Sequence, residues 1–199
     1  MKEKEGLLAN PAPLGLMGFG MTTVLLNIHN AAPAEYKLTS MILSMGIFYG
    51  GLAQIIAGIL EYRKGNTFGV TAFTSYGLFW LSLVGILIIP EIIFNGTYAV
   101  SSEKPFLAWY FFMWGLFTMM MFVSAMKKNF LLSFVFGSLF ILFYLLALRD
   151  WGFITGNAAN FIGYEGIICG LSAIYLAMAE VINETYKKTI LPIGKPLIK

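Results

Sequence analysis

Apolar residues in this chain come in long unbroken runs, and nearly all the charge falls in short clusters between them. The runs cover residues 14–30, 38–60, 67–90, 105–126, 130–148 and about 161–182. A helix needs about 20 apolar residues to cross a bilayer, so each run reads as one crossing. A membrane strand would alternate apolar and polar side chains, and these runs do not alternate. Backbone groups in hydrocarbon must then bond within their own segment, which predicts helix throughout. The expected architecture is an all-α integral membrane protein with six transmembrane helices. It forms a single domain over residues 1–199, with short tails at about 1–9 and 187–199. The first run is the most polar, ending in Asn27, His29 and Asn30. It begins Asn10-Pro11-Ala12-Pro13 and lacks the small-residue cleavage site of a signal peptide.

Basic residues set the orientation. With the N-terminus inside, ten of the 13 lysines and arginines fall on the inner side, and Lys37, Lys104 and Arg149 fall outside. Positive charge collects on the cytoplasmic side, so both termini are predicted to be cytoplasmic. The segment 91–104 is then the longest outer loop, and it contains the tripeptide Asn95-Gly96-Thr97. Composition agrees with a multi-pass protein of a cell membrane: 58% of residues are hydrophobic and 12% charged. A net charge of +3, scattered along the chain, gives nucleic acid nothing to bind. One His and one Cys leave no cofactor or metal site expected, since a haem, di-iron or zinc centre needs more ligands. Enzyme chemistry is correspondingly hard to assemble.

Small residues recur at helical spacing. Gly46 and Gly50 form a G-x-x-x-G continued by Ala53 and Ala57, and Gly166, Gly170, Ala173 and Ala177 line one face of the last run. Such faces let helices approach closely in lipid. Uncharged hydrogen-bonding groups also occur at membrane depth: Thr22, Thr23 and Asn27, then Gln54, then Thr71, Thr74, Ser75 and Tyr76, with Asn157 and Asn160 ahead of the last run. Such groups avoid lipid. They either bond neighbouring helices or line a wet path for a small polar solute, one without a mid-membrane cation to hold it tightly.

Asn10 is suited to cap the first helix and Pro11 to sit in its first turn, where a missing N–H costs nothing. The free amides of a helix start can attract a carboxylate. Glu61 is expected in an interfacial ion pair beside Arg63 and Lys64, and Glu180 either at the inner interface or in a vestibule where it takes up a proton. Glu165, nearer the outer end, is open to the same reading, and His29 is expected near the outer interface.

Three blocks of this sequence resemble the acetate uptake transporter family, which includes bacterial succinate–acetate permeases and fungal acetate transporters. The first is Asn10-Pro11-Ala12-Pro13-Leu14-Gly15-Leu16-Met17-Gly18-Phe19. The second runs from Phe48-Tyr49-Gly50-Gly51 through Gln54, Glu61 and Gly65-Asn66-Thr67-Phe68 to Thr74-Ser75-Tyr76-Gly77. The third runs from Cys169 to Glu180 and Asn183-Glu184. The resemblance implies a homohexamer in which each protomer has its own acetate pore, narrowed by Phe19, Tyr76 and Leu139, with Ala173 limiting substrate size. Together with the polar residues above, the expected substrate-binding or specificity set is Asn10, Pro11, Thr22, Gln54, Thr74, Asn157 and Ala173. Glu180, Glu61 and His29 are the groups through which transport would be linked to protons. Acetate and related small carboxylates and the lipid bilayer are then the expected partners. Channel and proton symporter stay open, and so does a non-transporting scaffold or sensor whose polar residues merely knit helices together.

Overall fold

The structure is a computed structural model that describes residues 8–94 and 100–198. Lys2, Lys4, Lys199 and the Asn95-Gly96-Thr97 tripeptide lie outside the described residues. Six helices follow in order: α1 (Ala12–Ala31), α2 (Ser40–Arg63), α3 (Thr67–Phe94), α4 (Val100–Ala125), α5 (Phe130–Asp150) and α6 (Asn157–Tyr186). No strand occurs among the described residues. Five of the six are long and apolar enough to cross a membrane by composition alone, and α1 is the exception. The chain is a multi-pass, all-helical membrane protein.

Three boundaries differ from the hydropathy reading. Helix α3 runs to Phe94 and α4 starts at Val100, so most of the expected outer loop at 91–104 is helical. Pro105 lies within the first two turns of α4, early enough that few backbone bonds are lost to it. Helix α6 extends from Asn157 to Tyr186, about one turn beyond its apolar run at each end. Polar residues continue a helix freely once it leaves the hydrocarbon. Asn129 caps α5 by accepting the Leu132 amide at 2.8 Å.

The helices close into a ring. α1 packs on α2 and α6, α6 on α5, α5 on α4, and α2 on α3. The α1–α6 seam is the most intimate. A Cβ on Gly166 would collide with the Asn27 side chain, and one on Gly170 would stand 2.8 Å from the Gly20 carbonyl. Between α2 and α3, a Cβ on Gly77 would lie 2.7 Å from the Gly51 carbonyl. The Gly46–Gly50 pair works against α3 in the same way: Val84 rests on Gly46 and Trp80 on Gly50. Here α2 also widens into a π-helical stretch, Gly46–Ala53, a local form frequent at functional sites.

The α3 and α4 backbones scarcely meet, and aromatic rings fill the space between them. Tyr76 lies 5.5 Å from Phe117 and 6.1 Å from Trp114, and Phe79 lies 5.2 Å from Trp114, all ring to ring. The Tyr76 hydroxyl donates to Thr118 Oγ1 at 2.9 Å, fixing the ring in place.

One end of the ring gathers the N-terminal segment, the α2–α3 and α4–α5 connections and the C-terminal tail. Lys64 Nζ donates to Asn10 Oδ1 at 2.9 Å, and the Leu197 amide donates to the Met126 carbonyl at 2.9 Å. Arg63, Lys64, Lys127, Lys128, Lys187, Lys188 and Lys195 therefore share this end, while Lys37 and Arg149 lie at the other. By the positive-inside rule the basic end is cytoplasmic. The tail does not leave the bundle, because the Leu131 amide also bonds the Ile193 carbonyl at 3.0 Å.

Candidate functional site

Inside the ring are two cavities that share a neck. The outer one, about 210 Å³, runs from Phe19 and Leu139 at its floor to His29, Leu38 and Arg149 at its mouth. Ten residues of α5 separate Leu139 from Arg149, so the cavity is about 15 Å deep. The inner one, about 30 Å³, has room for on the order of two waters. Its wall includes Phe19, Gln54, Phe68, Tyr76, Phe136 and Leu139. Phe19 and Leu139 thus line both cavities, from α1 and α5, and Tyr76 of α3 lines the inner one beside them. The Phe19 and Tyr76 rings are 6.1 Å apart, and the three side chains are 6%, 3% and 4% exposed for Phe19, Tyr76 and Leu139. Three large apolar groups from three helices meet where the two cavities do. A narrowing of this kind strips water and can gate by dewetting.

The polarity of α1 now has a physical cause. Thr23, Asn27, His29 and Asn30 all line the outer cavity, so the helix presents its hydrogen-bonding groups to that space. Asn27 Nδ2 donates to the Thr23 carbonyl at 2.9 Å, and Asn27 Oδ1 accepts from Asn30 at 3.0 Å. His29 Nδ1 bonds the Tyr36 carbonyl at 2.5 Å. A carbonyl only accepts, so Nδ1 is the donor in this bond. Two donors on this wall lack protein partners among the described residues: Thr23 Oγ1 and Trp80 Nε1, both buried. An orphaned buried donor costs about 1–3 kcal/mol, which a water or carboxylate oxygen within reach would offset.

At the cytoplasmic end a second polar group forms around the start of α1. Pro11 stands at the helix boundary, and Asn10 Oδ1 accepts the Ala12 amide at 3.3 Å. Asn10 Nδ2 donates to Glu180 Oε2 at 2.8 Å, tying α1 to α6. Lys64 bonds the same Asn10 and lies 4.0 Å from Glu61 Oε1. Asn66 Nδ2 donates to Glu61 Oε2 at 2.7 Å. Glu61 is 0% exposed, so the ion pair expected of it at the interface has a buried carboxylate and is made with Lys64 rather than Arg63, with the neutral Asn66 amide adding a hydrogen bond. Its Oε1 has no hydrogen-bond partner among the described residues.

Of the expected specificity residues, Gln54 lines the inner cavity, its Nε2 donating to the Gly50 carbonyl at 2.7 Å. Four others stand away from both cavities. The Thr22 hydroxyl turns to the Met45 carbonyl on α2 at 3.5 Å. Thr74 packs against Gly58 at the α2–α3 seam. Asn157 is exposed at the start of α6. Ala173 is fully buried among the core residues. Glu165 lies at the α5–α6 seam, accepting from Ser138, and lines neither cavity.

Arg149 was counted in the sequence only as an outer charge. It stands in the cavity mouth because α5 stays helical through Asp150, past the apolar run. Trp80 carried no sequence signal beyond its neighbours in a run of aromatic residues. No group of three or more His, Cys, Asp or Glu positioned to hold a metal occurs among the described residues.

The chain is 58% identical over 190 residues to the succinate-acetate/proton symporter SatP of Escherichia coli strain K12, covering 94% of this chain and 96% of that protein. It is 33% identical over 198 residues to acetate permease A of Emericella nidulans, covering 94% of this chain and 66% of the permease. A solved structure of the bacterial acetate channel SatP superposes with a TM-score of 0.87 at 57% identity, covering 94% of this chain and 99% of that one. With residues 2–195 matching its pattern, the chain belongs to the GPR1/FUN34/yaaH family.

Proposed function

We propose that this protein is a transporter, not an enzyme, that carries acetate and related short monocarboxylates, together with the dicarboxylate succinate, across the cell membrane. The solute passes through a pore inside each protomer, and protomers assemble as homohexamers. The observation that carries this reading is the pair of cavities on one axis of the helix ring, meeting at Phe19 and Leu139. Relatives named for succinate–acetate symport and acetate permeation support the choice of solute.

Acetic acid has a pKa of roughly 4 to 5, so near neutral pH the solute is an anion. Moving that charge into hydrocarbon is prohibitive unless polar groups replace its water. Thr23, Asn27, Asn30 and Trp80 offer such groups in the outer cavity, and Gln54 offers one below the neck. Phe19, Tyr76 and Leu139 form the constriction, where the solute sheds water and its size is judged. In a proton-coupled mode of transport, Glu61 and Glu180 on the cytoplasmic side and His29 on the outer side are the groups that would carry the linkage.

Uptake of radiolabelled acetate by liposomes containing the purified protein tests this reading. Saturable uptake above that of empty liposomes is expected. Its absence would leave a scaffold or sensor, with the cavities as packing defects. Simultaneous recording of current separates the two modes of transport: sustained current marks a channel for the anion, and electrically silent uptake marks coupling to a proton.

A further inference from the structure

The outer cavity has a charged rim that the polar and aromatic groups below it do not explain. Among the described residues, Arg149 is the one lysine or arginine that lines either cavity, and no aspartate or glutamate does. Its Nε donates to Asp150 Oδ1 at 2.7 Å, and its side chain is 28% exposed. No described residue accepts from its two terminal nitrogens, whose N–H groups form the fork that recognises carboxylates. His29 lines the same cavity from α1.

We propose that Arg149 is the capture residue of the outer mouth: it draws small carboxylate anions into the cavity and sets the external concentration at which the pore fills. This inference rests on the acetate-transport reading above. A single cation at the rim of an apolar-walled cleft focuses the field along it and raises the local anion concentration. Asp150 opposes that action. Its side chain is 6% exposed and its second carboxylate oxygen is buried without a partner among the described residues, so the negative charge sits close behind the guanidinium and cancels much of its reach. The pair therefore tunes capture: strong enough to attract the anion, weak enough to release it inward, as conduction requires.

A purely structural role is the rival. Arg149 lies in the last turn of α5, where a cation suits the helix dipole, and its bond to Asp150 would stiffen the turn. The two roles separate because they assign opposite signs to the aspartate. If the pair is a staple, removing either partner does the same harm. If Arg149 captures anions, removing its neighbour's charge helps.

The test is acetate uptake in right-side-out membrane vesicles bearing the wild type, Arg149→Gln, Arg149→Lys and Asp150→Asn. Salt is varied between about 10 mM and 150 mM, across which the screening length falls from about 30 Å to about 8 Å. For Arg149→Gln the half-saturating acetate concentration rises roughly three- to tenfold at low salt, with the maximal rate kept and the salt dependence flattened. Arg149→Lys falls between wild type and Arg149→Gln and keeps the salt dependence, because the charge remains while the fork is lost. Asp150→Asn lowers the half-saturating concentration. Unchanged half-saturation in both neutral variants would overturn the proposal, as would a loss of the same sign in Arg149→Gln and Asp150→Asn. Should Arg149→Gln not reach the membrane, the direction of the Asp150→Asn shift decides alone. Wild-type vesicles without saturable uptake would instead refute the transport reading itself.

Discussion

Truncating Leu139 to alanine tests the constriction most sharply. Leu139 is 4% exposed and borders both cavities, so removing the isopropyl end of its side chain joins a space of about 210 Å³ to one of about 30 Å³. Buried Leu→Ala changes cost about 2–5 kcal/mol in water-soluble proteins, through lost transfer energy and the cavity left behind. Here the void opens into existing space and lipid offers no strong hydrophobic drive, which puts the stability cost near the low end, about 2 kcal/mol. The effect on selectivity is larger. One methylene of misfit in an apolar pocket is worth roughly 10- to 200-fold in discrimination. Lactate is bulkier than acetate, and relieving its misfit raises the lactate-to-acetate uptake ratio at least about tenfold. The assay compares labelled acetate and lactate in proteoliposomes, with Leu139→Met as the volume-conserving control that leaves the ratio near wild type. A ratio unchanged in Leu139→Ala, with both rates simply following protein content, would refute the assignment of Leu139 to the neck.

Other outcomes follow from the same geometry. Gly166→Leu forces a side chain into Asn27, so α1 and α6 separate and folded protein in detergent extracts falls several-fold, whereas Gly85→Ala, whose added methyl meets only Ile89 at 3.6 Å, changes yield little. Trp80→Phe and Thr23→Val each remove a buried donor that has no protein partner, so neither lowers thermal stability, yet each raises half-saturating acetate by several-fold if solute satisfies those donors. Asn10→Ala removes the bridge between Glu180, Lys64 and the α1 amide, and uptake falls while Asn10→Asp, which keeps the acceptors but loses the donor to Glu180, falls further through carboxylate repulsion.

The sequence carried the fold well because lipid imposes a simple rule: charges interrupt helices at the interface, and five of the six crossings are apolar by count alone. It placed α1 too, although that helix fails the hydropathy criterion, because the Asn10-Pro11 start and the flanking charges bound it. What hydropathy could not read is which side of a helix faces the lumen. Thr22 and Thr23 show this: adjacent hydroxyls point about 100° apart on a helix, and one bonds α2 while the other lines the outer cavity. Thr74 looked equally fit for the pore but serves the α2–α3 seam against Gly58. Glu61 read as interfacial because two basic residues follow it, yet the closeness of Gly69 and the reach of Asn66 bury it completely. Arg149 escaped notice because an apolar run ends at the first charge, whereas the helix and the cavity it lines go on.

Thiol labelling of a cysteine placed in the outer cavity tests the central claim most directly. The native Cys169 is fully buried, which leaves a quiet background. Leu83 lines the outer cavity on α3, so a membrane-impermeant thiol reagent added outside should modify Leu83→Cys, block acetate uptake, and be slowed by acetate itself. A Leu83→Cys protein that stays unreactive from outside, or that is modified without any loss of uptake, would contradict a solute path through the ring.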